Sequence, residues 1–398
     1  MNNVSKAHSK QALWTLDFIT ILTVNALGFL GFNMATAGAP AYLSFLGAEN
    51  TVTGLVTTLA AVAALLIRPF IGYLLSRTTA KNISCIGFML MALPTLALSS
   101  FKSFISILVI RLLQGFGWGL ASTGCSSIIA QTTPDSRLSE GIGFSGAVSS
   151  VTTAIAPVFA ILLLEKASGT TMMICMGVIL LISGLLVFRL RSAKYSGISK
   201  TERKQGIGFF ETGALFPAIL ILCITICYSP IITFIVPAAK ENGLSNVTIF
   251  YIFYAIATVT VRLLTGFFVD RHGSTIPAFL SLSTAILSVL LMSVAHTPSI
   301  LCIAGISSGM STGIGMNALQ IMALKRVSDR KKGLAMSTFL FGFDMGMALG
   351  AIAAGIISKW FGYNIMFVSF ALFPLIGIIA LSLLILKNKY MKNRKRAL

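Results

Sequence analysis

Four charged side chains stand inside long apolar stretches of this sequence, and a charge in such a setting needs a reason. Asp344, in "FLFGFDMGMALG", lies about eleven residues into the stretch 333–357 and is the only carboxylate at that depth. A carboxyl there can load and release a proton as a cavity opens first to one side and then to the other; the competing role is a carboxylate fixed by an arginine or by hydrogen bonds. Arg111 stands about seven residues into the stretch 104–130, suited either to coupling and substrate anchoring or to tying helices together. Arg68 and Arg262 lie nearer one end of their stretches, where long basic side chains snorkel to water. Their symmetric recurrence points to a gate, because a substrate is rarely symmetric. Asp17 is shallower still and reads as solvated.

Asn25, Asn33, Gln114, Trp118, Tyr228, Tyr254, Asn317 and Gln320 add polar and aromatic character at cavity depth and are candidate substrate contacts, although most such residues tie one helix to another. Catalytic and metal chemistry find no foothold. His8, His272 and His296 fall in the tail or in loops, and no Asp, His, Ser or Cys residues gather at metal or nucleophile spacing. All six cysteines lie in apolar stretches, which indicates neither a disulfide framework nor a zinc site. The glycine runs "GFGWG" and "GISSGMSTGIG" have no Gly-Lys-Ser/Thr beside them and serve close packing rather than nucleotide binding. Neither an enzyme, a cofactor nor a metal is expected.

The elements that position these residues follow from composition. Of 398 residues, 56% are hydrophobic and 10% charged, with a mean hydropathy of +0.90, a balance that belongs in a bilayer. Twelve stretches are long enough to cross it: 15–41, 54–75, 82–101, 104–130, 141–164, 170–190, 214–239, 247–269, 277–296, 299–324, 333–357 and 363–386. The polar lead "MNNVSKAHSKQALW" has no small-residue cleavage site, so the first stretch is expected to stay. The net charge of +19 is one-sided. Clusters at Arg189–Lys204, Lys325–Lys332 and Lys387–Arg396 share one face, which places both termini in the cytoplasm and makes the charge a topology signal rather than a nucleic-acid site.

The chain is also duplicated. "RPFIGYLLSRTTAK" (68–81) returns as "RLLTGFFVDRHGST" (262–275), with Arg68 and Arg262, Gly72 and Gly266, Arg77 and Arg271 in register, but Ser76 stands where the second copy has Asp270. "TTPDSRLSEG" (132–141) has its counterpart in "RVSDRKKG" (326–333). The polar interval near 189–211 divides the stretches six and six. The expected organisation is a bundle over 1–190, a cytoplasmic linker over 191–211, and a second bundle with a basic tail over 212–398. Two such halves are an architecture of secondary transporters.

The motifs resemble the major facilitator superfamily along essentially the whole chain. "GFFVDRHG" (266–273) matches its loop pattern Gly-x-x-x-Asp-Arg-x-Gly, "GYLLSRTTAK" (72–81) is the same pattern without its Asp, and "RLLQGFGWG" (111–119) is similar to its fourth-helix motif. The antiporter motif of the fifth helix survives only as Thr152, Ala156, Pro157 and Ala160, and no Pro-Glu-Ser-Pro-Arg-like sequence of the sugar importers follows the sixth. The resemblance implies an all-α membrane protein of twelve transmembrane helices in two pseudo-symmetric six-helix bundles. It implies a proton-coupled exporter in the cell membrane, monomeric, with a small-molecule substrate, protons and the lipid bilayer as its partners and no nucleic acid. The alternatives are a dedicated exporter of a zwitterionic metabolite such as an amino-acid-derived metallophore, an uptake symporter and, remotely, a membrane enzyme or receptor. Asp344 and Arg111 are then the coupling residues. Arg68, Gly72, Ser76, Arg77, Arg262, Gly266, Asp270 and Arg271 form the cytoplasmic gate. By the same resemblance Asp270 faces the start of the fifth helix near Gly141 and Ser76 that of the eleventh near Gly333. Lys331 and Lys332 are left without an acid there, so the latch is one-sided and the cytoplasm-closed state less favoured.

Overall fold

A computed structural model describes residues 12–46, 50–99, 103–190, 209–244 and 247–397. They form helices α1 (Leu16–Phe45), α2 (Asn50–Arg77), α3 (Ala80–Leu98), α4 (Phe104–Thr132), α5 (Leu138–Lys166), α6 (Gly169–Val187), α7 (Thr212–Glu241), α8 (Thr248–His272), α9 (Thr275–Ser293), α10 (Pro298–Leu324), α11 (Lys332–Phe370) and α12 (Leu372–Ala397). In hydrocarbon no water can satisfy an open backbone, so apolar stretches of this length close their hydrogen bonds internally. Hydroxyls follow the same rule: Thr20, Ser84 and Ser127 bond back to the carbonyl four residues earlier. Thr79, Ser168 and Thr297 cap α3, α6 and α10. Most of the expected linker, residues 191–208, lies outside the described residues. Its end is anchored where the Glu211 amide donates to Thr338 Oγ1 at 2.9 Å.

Lys332–Lys387 is a helical span of 56 residues, and as one straight helix it would be ~84 Å long, far more than a bilayer. Gly362 (φ 78°, ψ 172°) divides it. Before it, Gly342, Gly346 and Gly350 rest on Ala218, Leu222 and Ile226 of α7 in rising order, so the two helices run parallel. After it, Tyr363 meets Phe234 and Gly377 meets Cys223, so the chain now runs back along α7. The turn at Gly362 therefore separates an eleventh from a twelfth crossing, as the sequence indicates. α12 carries the basic tail onward as helix to Ala397.

Packing repeats with the sequence. Gly115 of α4 abuts Ala60 of α2, and Gly309 of α10 abuts Tyr254 of α8; small residues four apart let these parallel backbones touch. One core gathers Phe18, Phe88, Ile107 and Leu180 within α1–α6. A second, within α7–α12, holds Ile231, Phe250, Val289 and Phe367. A third, toward the basic end, joins Leu220, Leu319 and Phe339 to Ala130, Leu138 and Ile142 of α4 and α5. Large exposed side chains such as Leu66, Ile105, Phe159, Leu264 and Ile352 complete a surface suited to lipid.

Candidate functional site

The first six helices meet the last six through α2 against α11, α4 against α11, α5 against α8 and α5 against α10. Every described hydrogen bond and ion pair between them lies in the half of the bundle toward the basic end. At the α2–α11 seam Arg68 Nε pairs with Asp344 Oδ2. Arg68 also donates through Nη1 to Thr123 Oγ1 of α4 at 3.1 Å, and its backbone carbonyl accepts from Ser337 Oγ at 2.6 Å. The guanidinium is buried, whereas the Asp344 side chain keeps 21% of its surface. A titratable acid thus bridges the halves at mid-depth.

The α5–α8 seam is related but not equal. Arg262 Nη1 donates to the Gly146 carbonyl at 2.6 Å, Asn317 Nδ2 donates to the Arg262 carbonyl at 2.7 Å, and the buried Arg262 Nε has no partner. Gly72 and Gly266 mark the closest approaches: a side chain on Gly72 would strike Leu334, and one on Gly266 would lie 2.6 Å from Ser139 O.

The remaining candidates separate. Arg111 is fully buried inside the first half, with Nη1 donating to Gln114 Oε1 at 3.1 Å and its charge 5.7 Å from the Phe32 ring; Gln114 in turn donates to Thr95 Oγ1 of α3 at 2.9 Å. It stands twelve residues from Thr123 along α4, ~18 Å at the helical rise, so the structure does not bring it to Asp344. Asn25 is tied to Ser145 and Ser149, and Asn33 to Thr153, both binding α1 to α5. Trp118 stacks on Phe32 at 4.2 Å with Phe29 edge-on. Tyr228 and Tyr254 stack at 5.5 Å, and the Tyr254 hydroxyl accepts from Thr312 at 3.3 Å. Asn317 belongs to the Arg262 cluster, while Gln320, half-buried one turn on, joins neither. Arg77 lies over the Tyr73 ring and Arg271 is exposed. Ser76 falls in α2, but its side chain lies outside the described ones. Among the described residues no group of three His, Cys, Asp or Glu side chains could hold a metal.

The expected one-sided latch needs correction. Lys332, buried, has its ammonium 3.0 Å from Asp135 across the halves and 2.7 Å from Asp329, and Lys331 lies 3.4 Å from Glu211. The lysines at the start of α11 therefore do have acids, supplied by the connections rather than by the repeated loop. Asp270, expected to face the start of α5, has its described partner within its own half, Lys325 at 3.7 Å. Sequence reasoning missed Thr123, Gly146, Ser337 and Asp135. The offset between Arg68 and Arg262 was the available signal for the first of these, since it carries Thr123 onto Asn317.

The comparisons agree with this architecture. The family model "Major Facilitator Superfamily" matches residues 21–298 and 250–397. A protein of Escherichia coli (strain K12) named "Uncharacterized MFS-type transporter YhhS" is 24% identical over 380 residues, covering 93% of this chain and 91% of its own. The "Quinolone resistance protein NorA" of Staphylococcus aureus (strain MRSA252) is 27% identical over 120 residues, 30% of this chain and 31% of its own. Among solved structures, the transporter FucP "in the outward conformation" superposes with a TM-score of 0.77 at 13% identity, covering 94% of this chain and 99% of that one. The human organic anion transporter MFSD10 gives 0.75 at 13%, covering 92% and 98%. With twelve long helices among the described residues, a duplicated helix order and a family match over nearly its whole length, the chain belongs to the Major Facilitator Superfamily of membrane transporters.

Proposed function

We propose that the protein is a proton-coupled exporter of a small organic molecule, working by alternating access, with the basic face and both termini in the cytoplasm. The observation that carries this reading is the Arg68–Asp344 pair, an acid of one half closing on a base of the other and only partly buried. A proton taken up from water by the Asp344 carboxylate cancels its attraction for Arg68 and loosens α2 from α11; its release on the other side restores the pair. Alternating exposure of one carboxyl then links proton flow to movement of the halves. Arg111 contributes by fixing α4, the helix that also carries Thr123, against α3 through Gln114 and Thr95. The one-sided lysine excess supports the orientation. The printed name of NorA supports efflux over a third of the chain.

The test is reconstitution in liposomes with an imposed pH gradient and a counter-flow screen of small organic solutes. Asp344→Asn is expected to abolish gradient-driven movement while sparing exchange. Full gradient-driven transport in that variant refutes the coupling role, and accumulation down the opposite gradient makes the protein an importer. Reporter fusions after Lys200 and Leu398 check the orientation, which an extracellular reading overturns.

A further inference from the structure

The two halves place their arginines identically but answer them differently. The offset that carries Arg68 onto Arg262 carries Thr123 onto Asn317, and each of these side chains touches its arginine. It also carries Ser337 onto Gly143. Ser337 donates to the Arg68 carbonyl, and a side chain on Gly143 would lie 2.9 Å from the Arg262 carbonyl, so the backbones of α11 and α5 are in the same register against their partners. One further step along that register sets Ser150 of α5 where α11 has Asp344. The arginine of the first half meets a carboxylate; among the described residues the arginine of the second half meets none.

Arg262 is consequently a half-buried cation whose buried Nε is unpartnered and whose Nη1 is met by a neutral carbonyl. The hydroxyls of Tyr228 and Tyr254, neutral hydrogen-bonding groups on a stacked aromatic pair, interact with it electrostatically. A guanidinium so placed, with its Nε shut away from solvent, lacks the counter-charge that a cation drawn from water calls for. We propose that the transported molecule supplies it: Arg262 docks an oxyanion of the substrate, a carboxylate, phosphonate or sulfonate, beside the Tyr228–Tyr254 stack, in the place that Asp344 fills for Arg68. This rests on the reading of the chain as a small-molecule transporter and narrows its cargo to molecules bearing an anionic group. It also separates the two seams by task, one arginine serving the proton-binding acid and the other the cargo.

The experiment uses the purified full-length protein in detergent and follows thermal unfolding against benzoate, N-acetylphenylalanine and benzenesulfonate, each paired with its uncharged amide. The wild type is expected to respond to at least one anion at a concentration tenfold or more below that of its amide. Ser150→Asp, which places a carboxylate where the pseudo-symmetry asks for one, and Arg262→Gln should each abolish the preference. Should Arg262→Gln fail to fold, Ser150→Asp carries the test alone. A wild type that answers none of the anions, one that answers the amides equally, or a Ser150→Asp protein that keeps the preference overturns the assignment. An anion preference without gradient-driven transport in liposomes would sink the proton-coupled reading and leave this site standing.

Discussion

Removing the charge at position 344 should open the basic end of the protein. In Asp344→Asn the amide oxygen can still accept from Arg68 Nε, and Arg68 keeps Thr123 at 3.1 Å. What is lost is the difference between a charge-assisted and a neutral hydrogen bond, about 1–1.5 kcal/mol. The lower part of that range applies, since the carboxylate is 21% exposed and partly screened. Because the pair bridges α2 and α11, the loss falls on the state in which these helices touch, and about 1 kcal/mol moves the equilibrium roughly fivefold. Asp344→Ala is harsher: a buried guanidinium without its counter-charge costs about 3–5 kcal/mol. Spin labels at Ser136 and Ser328, exposed in the α4–α5 and α10–α11 connections, report the separation in a background whose native cysteines are replaced. The long-distance fraction should rise from wild type to Asn to Ala, and adding Arg68→Gln to the Ala variant should recover part of the loss. Equal distance distributions in all of them would show that the seam is held by apolar packing alone.

Three other outcomes follow from the geometry. Asp135→Asn should change the same distances by less than the Asn variant at 344 does, and less still at high salt, because Asp135 is 78% exposed and Lys332 retains Asp329. Gly309→Ala should lower the unfolding temperature, since its methyl would lie 2.5 Å from the Tyr254 carbonyl and 2.8 Å from Ala257 Cβ, an overpacking of about 1–3 kcal/mol, whereas Gly355→Ala, with nothing nearer than 3.8 Å, should leave it unchanged. Gly362→Ala meets no neighbour within 4 Å yet should also destabilise, by about 1–3 kcal/mol, because φ 78° with ψ 172° suits glycine alone. Thermal unfolding of the purified variants checks both.

The fold was legible because hydrocarbon enforces it: apolar length gives the crossings, lysine bias their proposed orientation and the returning Arg68 unit their duplication. The turn at Gly362 was legible as a short gap between apolar runs, although backbone hydrogen bonding continues almost through it. The site was legible by residue type but not by pairing. Asp344 stood out as a lone carboxylate, yet nothing local indicates that it meets Arg68, because that contact forms between helices of different halves. Asn25 and Asn33 looked like cavity residues and bind α1 to α5, since spacing along a helix does not reveal which neighbour takes an amide. The acid for Lys332 is not legible in the repeated loop, because Asp135 comes from the α4–α5 connection.

The glycine seams make α2 and α4 one mechanical piece. Gly115 and Gly119 lie against Ala60 and Ala64, too close for either backbone to slide past the other, so a displacement at Arg68 must tilt both helices together. α4 then acts as a lever whose far arm carries Arg111 with its Gln114, Thr95 and Phe32 attachments. Under the proposed coupling, a proton at Asp344 would reach the opposite side of the membrane as a change of angle, without any chain of side chains to relay it.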